Sequence, residues 1–322
     1  MKVSLTRSIT ALLFPVIILT QSITSVISTN TDNDTSEHNI RGRVQHQSKQ
    51  NTPSILVTGA TGRTGSLIYK ELIDRGIHDV RALVRSVDKA RKVLGCDTCD
   101  VDEGIYQGDV TDQSSLERAA RGASIVVIAS ATSGTNADED IRAVEFDGVK
   151  NIVAALTQPF NIEMLGEGST SESLRVVLIS TMGTTQPNPS FGANIGFWKL
   201  NAEAFLGSSG VGVTIIKPCG LIDGPPNGTT LLVGHEDSFL NNKTPVMRSD
   251  VARVAVEAAL LRSRGLRFDL CASPDDGEPT TDLVALLNEA RWGWESTAVA
   301  RDTIIATVGS GSFDTVAAVE KM

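Results

Sequence analysis

Aromatic residues are scarce in this chain: two tyrosines, three tryptophans and nine phenylalanines among 322 residues. So few rings do not furnish a stacking platform for single-stranded nucleic acid. Positive charge is short as well, with 29 Lys and Arg against 38 Asp and Glu and a net charge of −9. Duplex binding needs a clustered basic footprint, which this balance argues against. Four cysteines are too few to staple a chain of this length, so a buried core must hold it. Glycine (28) and proline (11) are at ordinary levels, which excludes collagen-like and low-complexity chains. With 41% hydrophobic and 21% charged residues, the composition is that of an acidic globular domain handling small molecules. At about 150 residues per domain, the length allows one or two domains.

The first 28 residues read as a leader. Lys2 and Arg7 precede the apolar run Ile9–Leu19, and small residues follow near Ser28, the pattern of a signal peptide. The run is shorter than the ~20 residues of a membrane span. The expected destination is the secretory pathway or ER lumen, with a membrane anchor or a plastid transit peptide as alternatives. Residues 29–52 hold almost no apolar side chain besides Ile40 and Val44 and read as a disordered linker. Sequons at Asn33, Asn227 and Asn242 carry weight only if the signal peptide is real. Residues 295–322 form a tail without a usable motif.

From residue 53 to 294 the pattern changes. Short β-branched runs (55–58, 80–84, 104–108, 125–129, 176–180 and 213–217) alternate with amphipathic stretches (63–75, 87–94, 113–121, 138–157 and 197–208). Runs that are apolar throughout predict strands covered on both faces. The alternation predicts an α/β fold: a doubly wound parallel sheet with a small C-terminal substrate lobe. In that lobe, 231–234 and 267–271 read as strands and 281–292 as a helix. The segments 164–173 and 183–194 read as loops.

Gly59-Ala-Thr-Gly62-Arg-Thr-Gly65 follows the strand SILVT and opens a helix. In this setting, typical of the Rossmann fold, Gly59 permits the tight turn and Gly62 lets backbone approach a pyrophosphate. Gly65 lets the helix pack on the strand. The helix N-terminus, with Thr61, Arg63 and Thr64 around it, offers N–H groups and a positive dipole end to phosphates. NAD sites place an acid ~20 residues further on, at the ribose 2′-hydroxyl. Here Ala82–Ser86 contains no acid and the position is Arg85. Arg85 with Arg63 would neutralise a 2′-phosphate, so NADP(H) is expected over NAD(H).

The segments TGATGRTG, GDVTD, VVLISTMGTTQPNPSFG, WKLNAEAFL and IIKPCGL resemble, in order, the atypical short-chain dehydrogenase/reductases. The similarity is to their nitrogen-regulator-like, NAD(P)-binding branch, which includes plastid proteins. The resemblance implies that Asp109 and Val110 lie along the adenine and that Ala129 and Ser130 line the ribose side. It also implies Ser180 near the nicotinamide, Lys199 on the ribose and Pro218–Leu221 beside the nicotinamide amide. The stretch 247–261 resembles the family's helix beside the site, with Arg248 and Asp250 as its polar residues.

Catalytic members of that family use Tyr-x-x-x-Lys, in which the phenol moves the proton. Ile195 stands four positions before Lys199, and neither Tyr69 nor Tyr106 is followed by lysine at that spacing. The resemblance offers Ser180 and Lys199 as the catalytic candidates; Ser180, Thr181, Asp223 and His235 could serve as substitute proton donors, and spacing singles out none of them. The plain alternative for Lys199 is an i,i+4 pair with Glu203. Cys96-Asp-Thr-Cys99 has zinc-like spacing, but no histidine completes a site and Cys219 and Cys271 stand alone, so no metal is expected. In an oxidising lumen a local Cys96–Cys99 disulfide is the alternative to zinc, and Cys219 reads as a small buried residue. His235-Glu236-Asp237 is given no role. Trp292 and Trp294 read as packing anchors.

Two functions are compatible with these residues. One is an NADPH-dependent oxidoreductase acting on a small molecule. The other is a non-catalytic NADP(H)-binding redox sensor or scaffold with a protein partner. Nucleic acid is expected for neither.

Overall fold

A computed structural model describes residues 53–133, 137–185, 194–241, 244–275 and 277–291. The expected leader (1–28), linker (29–52), tail (295–322), Trp292 and Trp294 lie outside these residues.

The first half alternates strand and helix: β1 Ile55–Thr58, α1 Gly65–Asp74, β2 Val80–Val84, α2 Val87–Leu94, β3 Ile105–Gln107, α3 Gln113–Ala120 and β4 Ile125–Ile128. A long helical stretch comes next, α4 Asp138–Arg142 and α5 Gly148–Leu156 joined by a π-helical turn at Ala143–Asp147, then α6 Pro159–Met164. The second half runs β5 Arg175–Ile179, α7 Ile195–Ser208, β6 Gly212–Pro218, β7 Leu221–Ile222, β8 Leu231–Gly234, β9 Val246–Met247, α8 Arg248–Leu260, β10 Leu266–Ala272 and α9 Leu283–Glu289.

Eight strands form one sheet in the order β3-β2-β1-β4-β5-β6-β10-β8, and β7 pairs with β9 separately. All neighbours in the large sheet are parallel except β8, which runs antiparallel to β10. This is the doubly wound Rossmann arrangement, with its switch point between β1 and β4.

Strand residues alternate between two covered faces, which is why the sequence runs are apolar throughout. Ile55, Val57, Ile125 and Val127 face a core with Ile68, Leu72, Val254 and Phe268. Leu56, Val126 and Ile128 face the opposite core with Leu116, Ile152, Leu156 and Leu206. Full burial of each such large side chain contributes roughly 1.5–3 kcal/mol.

Local signals set the helix ends. Ser86 accepts the Lys89 N–H at 3.2 Å to start α2, and Gly95 at φ 78° stops it. Two elements differ from the sequence reading. The stretch 138–157 is not one regular α-helix, because the chain widens at Ala143–Asp147. Residues 159–164 form a helix that starts on Pro159, a residue suited to a first turn, where its missing N–H costs nothing. It is secured by Asn161, whose amide donates to Leu156 O at 2.7 Å and accepts the Gly122 N–H.

Candidate functional site

The end of β1 turns sharply through Gly59 (φ 67°), and the Gly62 N–H donates to Gly59 O at 2.8 Å. A Cβ on Gly59 would lie 2.6 Å from the Ala129 and Ser130 backbone, and one on Gly65 would strike the Gly59 backbone. Side chains are thus excluded from the turn, leaving a cradle of bare backbone. At the start of α1 the Thr64 side chain caps nothing and the first turn holds no acid. The helix end therefore keeps its preference for an anion.

This turn floors a cleft of about 400 Å³. Gly59, Thr61, Gly62, Arg63 and Thr64 line its centre. On the β2 side the wall is Leu83 and Arg85, with Lys89 from α2, then Gly108, Asp109 and Val110 beyond β3. On the β4 side the walls are Ala129–Ser133 and Val144, and Leu221 and Arg248 close the far end. Arg85 and Lys89 on this side and Arg63 beside them supply three cations, and Asp109 is the one carboxylate of the described lining. Ser86, just past the end of β2, is occupied in capping α2. Asp109 spends an oxygen on the Thr111 N–H and hydroxyl, both at 2.9 Å.

The other expected site residues stand outside this lining. Gly65 packs beneath the turn. Pro218 ends β6, its carbonyl accepting the Met182 N–H at 3.0 Å. Ser180, 6% exposed, donates its hydroxyl to Glu203 on α7. Glu203 also receives Arg267 at 2.8 Å and the Thr184 hydroxyl at 3.3 Å. Lys199 does not pair with Glu203. Its Nζ lies 2.8 Å from Glu145 Oε2, and Glu145 Oε1 accepts the Thr132 N–H at 2.8 Å. The i,i+4 reading fails because the π-helical turn carries Glu145 to Lys199 while Arg267 claims Glu203. Burial pushes the Glu145 carboxyl up, but the Lys199 charge and the Thr132 contacts outweigh it, and the group sits below the usual range. Lys199 and Glu145 thus form a buried pair whose carboxylate is held by the Thr132 N–H at the cleft wall.

Neither tyrosine supplies the missing phenol. Tyr69 is packed in the core, where burial first and the Glu103 charge second raise its pKa. Tyr106, on the edge strand β3, lies under the Arg81 guanidinium and packs against the core, outside the cleft lining.

A second buried cluster escaped sequence reasoning. Lys217, wholly buried in β6, sits 2.6 Å from Asp237 and 3.4 Å from Asp269 of β10. Asp237 also accepts the Gly183 N–H at 2.7 Å and the Thr185 N–H at 2.9 Å. It therefore has a role, tying the loop after β5 to β6. Burial alone would raise its carboxyl, but Lys217, the Thr185 hydroxyl, which also donates to it, and these two N–H groups hold it at about 2. The available signal was a lysine inside the strand IIKP. His235 and Glu236, by contrast, meet Arg267, at 3.1 and 3.4 Å. The two polar residues expected on α8 divide: Arg248 reaches the cleft and pairs with Asp223 at 2.6 Å, whereas Asp250 is buried on Arg253 at 2.8 Å and the Asn227 N–H at 2.9 Å.

Cys219 and Cys271, solitary in the sequence, are joined in the fold, with Cα atoms 5.2 Å apart. Cys96 and Cys99 are joined as well, Cα to Cα 5.0 Å. Beside them Glu103 accepts the N–H groups of Asp97, Thr98 and Cys99 at 3.2, 3.2 and 2.9 Å. No helix among the described residues is long and apolar enough to cross a membrane.

Residues 59–260 match the sequence pattern of the NAD(P)H-binding family. An uncharacterised chloroplastic protein of Arabidopsis thaliana is 33% identical over 257 residues, 73% of this chain and 75% of that protein. Sanguinarine reductase of Eschscholzia californica is 30% identical over 266 residues, covering 73% of this chain and 95% of the enzyme. Among solved structures, an Escherichia coli O157:H7 anaerobillin reductase superposes with a TM-score of 0.52 at 20% identity, covering 69% of this chain and 98% of that one. A Rossmann-fold NAD(P)-binding protein of Shigella flexneri gives a TM-score of 0.51 at 17% identity, over 71% of this chain and 98% of its own. The glycine cradle fits a nicotinamide nucleotide, and the chain belongs to the NAD(P)H-binding family, as an atypical short-chain dehydrogenase/reductase-like protein.

Proposed function

We propose that this protein is an NADPH-dependent reductase of a small molecule. The observation that carries the cofactor preference is the group of Arg63, Arg85 and Lys89 in the cleft, with no carboxylate between Ala82 and Ser86 and Asp109 held by Thr111. Three cations there suit a 2′-phosphate, whereas an NAD site needs an acceptor for two hydroxyls. When bound, the nicotinamide supplies the hydride for reduction of a carbonyl or similar group. The chain would supply the rest. Gly59 and Gly62 admit the pyrophosphate to bare backbone, and Leu221 and Arg248 bound the space beyond it. Lys199 holds a proton at Nζ against Glu145, one residue behind the Thr132 wall, while the Ser180 hydroxyl is committed to Glu203. The name of the Eschscholzia relative, a reductase, supports the reaction class.

The experiment is NADPH oxidation by the purified chain across a panel of small carbonyl and iminium compounds. Turnover that Lys199→Met abolishes while NADPH affinity persists supports the reading. Binding without turnover on any compound favours the second reading, a non-catalytic NADP(H) sensor, which the lack of any tyrosine in the cleft supports. Among the three destinations raised by residues 1–52, the chloroplastic names of two relatives support the plastid. A fluorescent protein fused to those residues separates plastid from secretory targeting.

A further inference from the structure

Cys219 and Cys271 occupy a position that couples them to the cleft. The β6–β10 register pairs Pro218 with Leu270, and the Cys219 N–H donates to Leu270 O at 2.9 Å, so the two cysteines come next as neighbours on adjacent strands. Cys219 Sγ also lies 3.5 Å from Met182 Sδ, two residues beyond Ser180. In the other direction Gly220 O accepts the Val246 N–H at 2.8 Å, fixing β9 at the head of α8. Leu221, two residues after Cys219, and Arg248, at the start of α8, both line the cleft. One sulfur pair therefore ties β6 to β10 next to the two segments, at Leu221 and Arg248, that bound the cleft's far end.

We propose that Cys219 and Cys271 are a disulfide/dithiol switch whose reduction weakens nucleotide binding, an inference that rests on the nucleotide-binding reading of the cleft. Reduction by a small dithiol breaks the Cys219–Cys271 bond. The dithiol gives up two electrons and two protons, closing into its own disulfide and leaving two protein thiols. Bonded sulfurs lie about 2 Å apart, whereas unbonded ones need on the order of 3.5–4 Å. Cys271 is 1% exposed in the body of β10, and Cys219 is 5% exposed at the end of β6, where the chain leaves the sheet. The displacement therefore falls on Cys219 and is passed to Gly220 and Leu221. The pair Cys96–Cys99 lies on the loop after α2, away from these segments, and serves as the internal control.

The test uses the full chain. NADPH, with NADH as second probe, is titrated by fluorescence against protein purified without reductant and against protein reduced with dithiothreitol. Differential alkylation with peptide mapping reports which cysteines are bonded. Expected are a mapped Cys219–Cys271 disulfide, a Kd at least about five-fold higher after reduction, and the same difference in the Cys96→Ser/Cys99→Ser double variant. Cys271→Ser should bind with the reduced affinity in both conditions; should it not fold, the mapping and the double variant still decide. Equal affinities before and after reduction overturn the coupling alone. So does a difference that disappears in the Cys96/Cys99 variant, or free Cys219 and Cys271 thiols in unreduced protein. No nucleotide binding in either state overturns the reading of the cleft and the switch together.

Discussion

The Lys199 ammonium meets the Glu145 carboxylate at 2.8 Å, and both side chains are buried, 11% and 3% exposed. Removing one partner leaves the other charged and unpaired in a dry site, which costs about 3–5 kcal/mol. Lys199→Met and Glu145→Gln should each lower stability by that order in urea unfolding. The double variant should lose much less than the sum, because the orphaned charge is gone. Additive losses would show that the pair is not coupled.

The cations at the β2 end make a separate prediction. Arg85→Asp places an acceptor where a ribose hydroxyl would lie and removes a phosphate partner. The ratio of NADPH to NADH dissociation constants should move toward NADH by roughly ten-fold or more, about 1.4 kcal/mol per decade. Lys89→Ala should weaken NADPH alone. A ratio that stays put in both variants would remove the 2′-phosphate assignment.

Glycine replacement tests the cradle. Gly62→Asp sets a carboxylate on the pyrophosphate path and should abolish binding of either nucleotide, with circular dichroism unchanged. Gly59→Ala meets both a positive φ of 67° and the backbone of Ala129 at 2.6 Å, so it should lower stability as well as affinity. Wild-type affinity in Gly62→Asp would refute the phosphate site.

Acid should loosen the loop after β5. Asp237 holds its proton less tightly folded, at about 2, than at its ordinary 3.8. Its contribution is therefore complete above roughly pH 5 and is lost as the pH falls through about 2. Asp237→Asn should be less stable at neutral pH and show a flatter decline over that range. A decline as steep as that of the wild type would assign the acid sensitivity elsewhere.

Much of the sheet could be read because its strands are short apolar runs. Residues 55–58, 80–84 and 87–94 are bounded in the fold as the sequence suggests, since glycine, proline or a capping serine stands at their edges. The phosphate turn was legible for the same local reason. The buried partners were not. Glu145 reaches Lys199, Asp237 reaches Lys217, and Cys219 reaches Cys271 only after distant segments are laid side by side, and none is separated by a helical or strand period. The π-helical turn also hid Glu145, because periodicity assumes a constant 3.6 residues per turn.

That widened turn at Ala143–Asp147 binds two properties together. Each residue of a helix rotates its successor by about 100° around the axis. Shortening the turn by one residue would therefore swing Val149, Ile152, Val153 and Leu156 of α5 away from the sheet they cover, at the same stroke as it withdrew Glu145 from Lys199. Chain length here is constrained by the core and the site alike, so an insertion or deletion in this segment forfeits both.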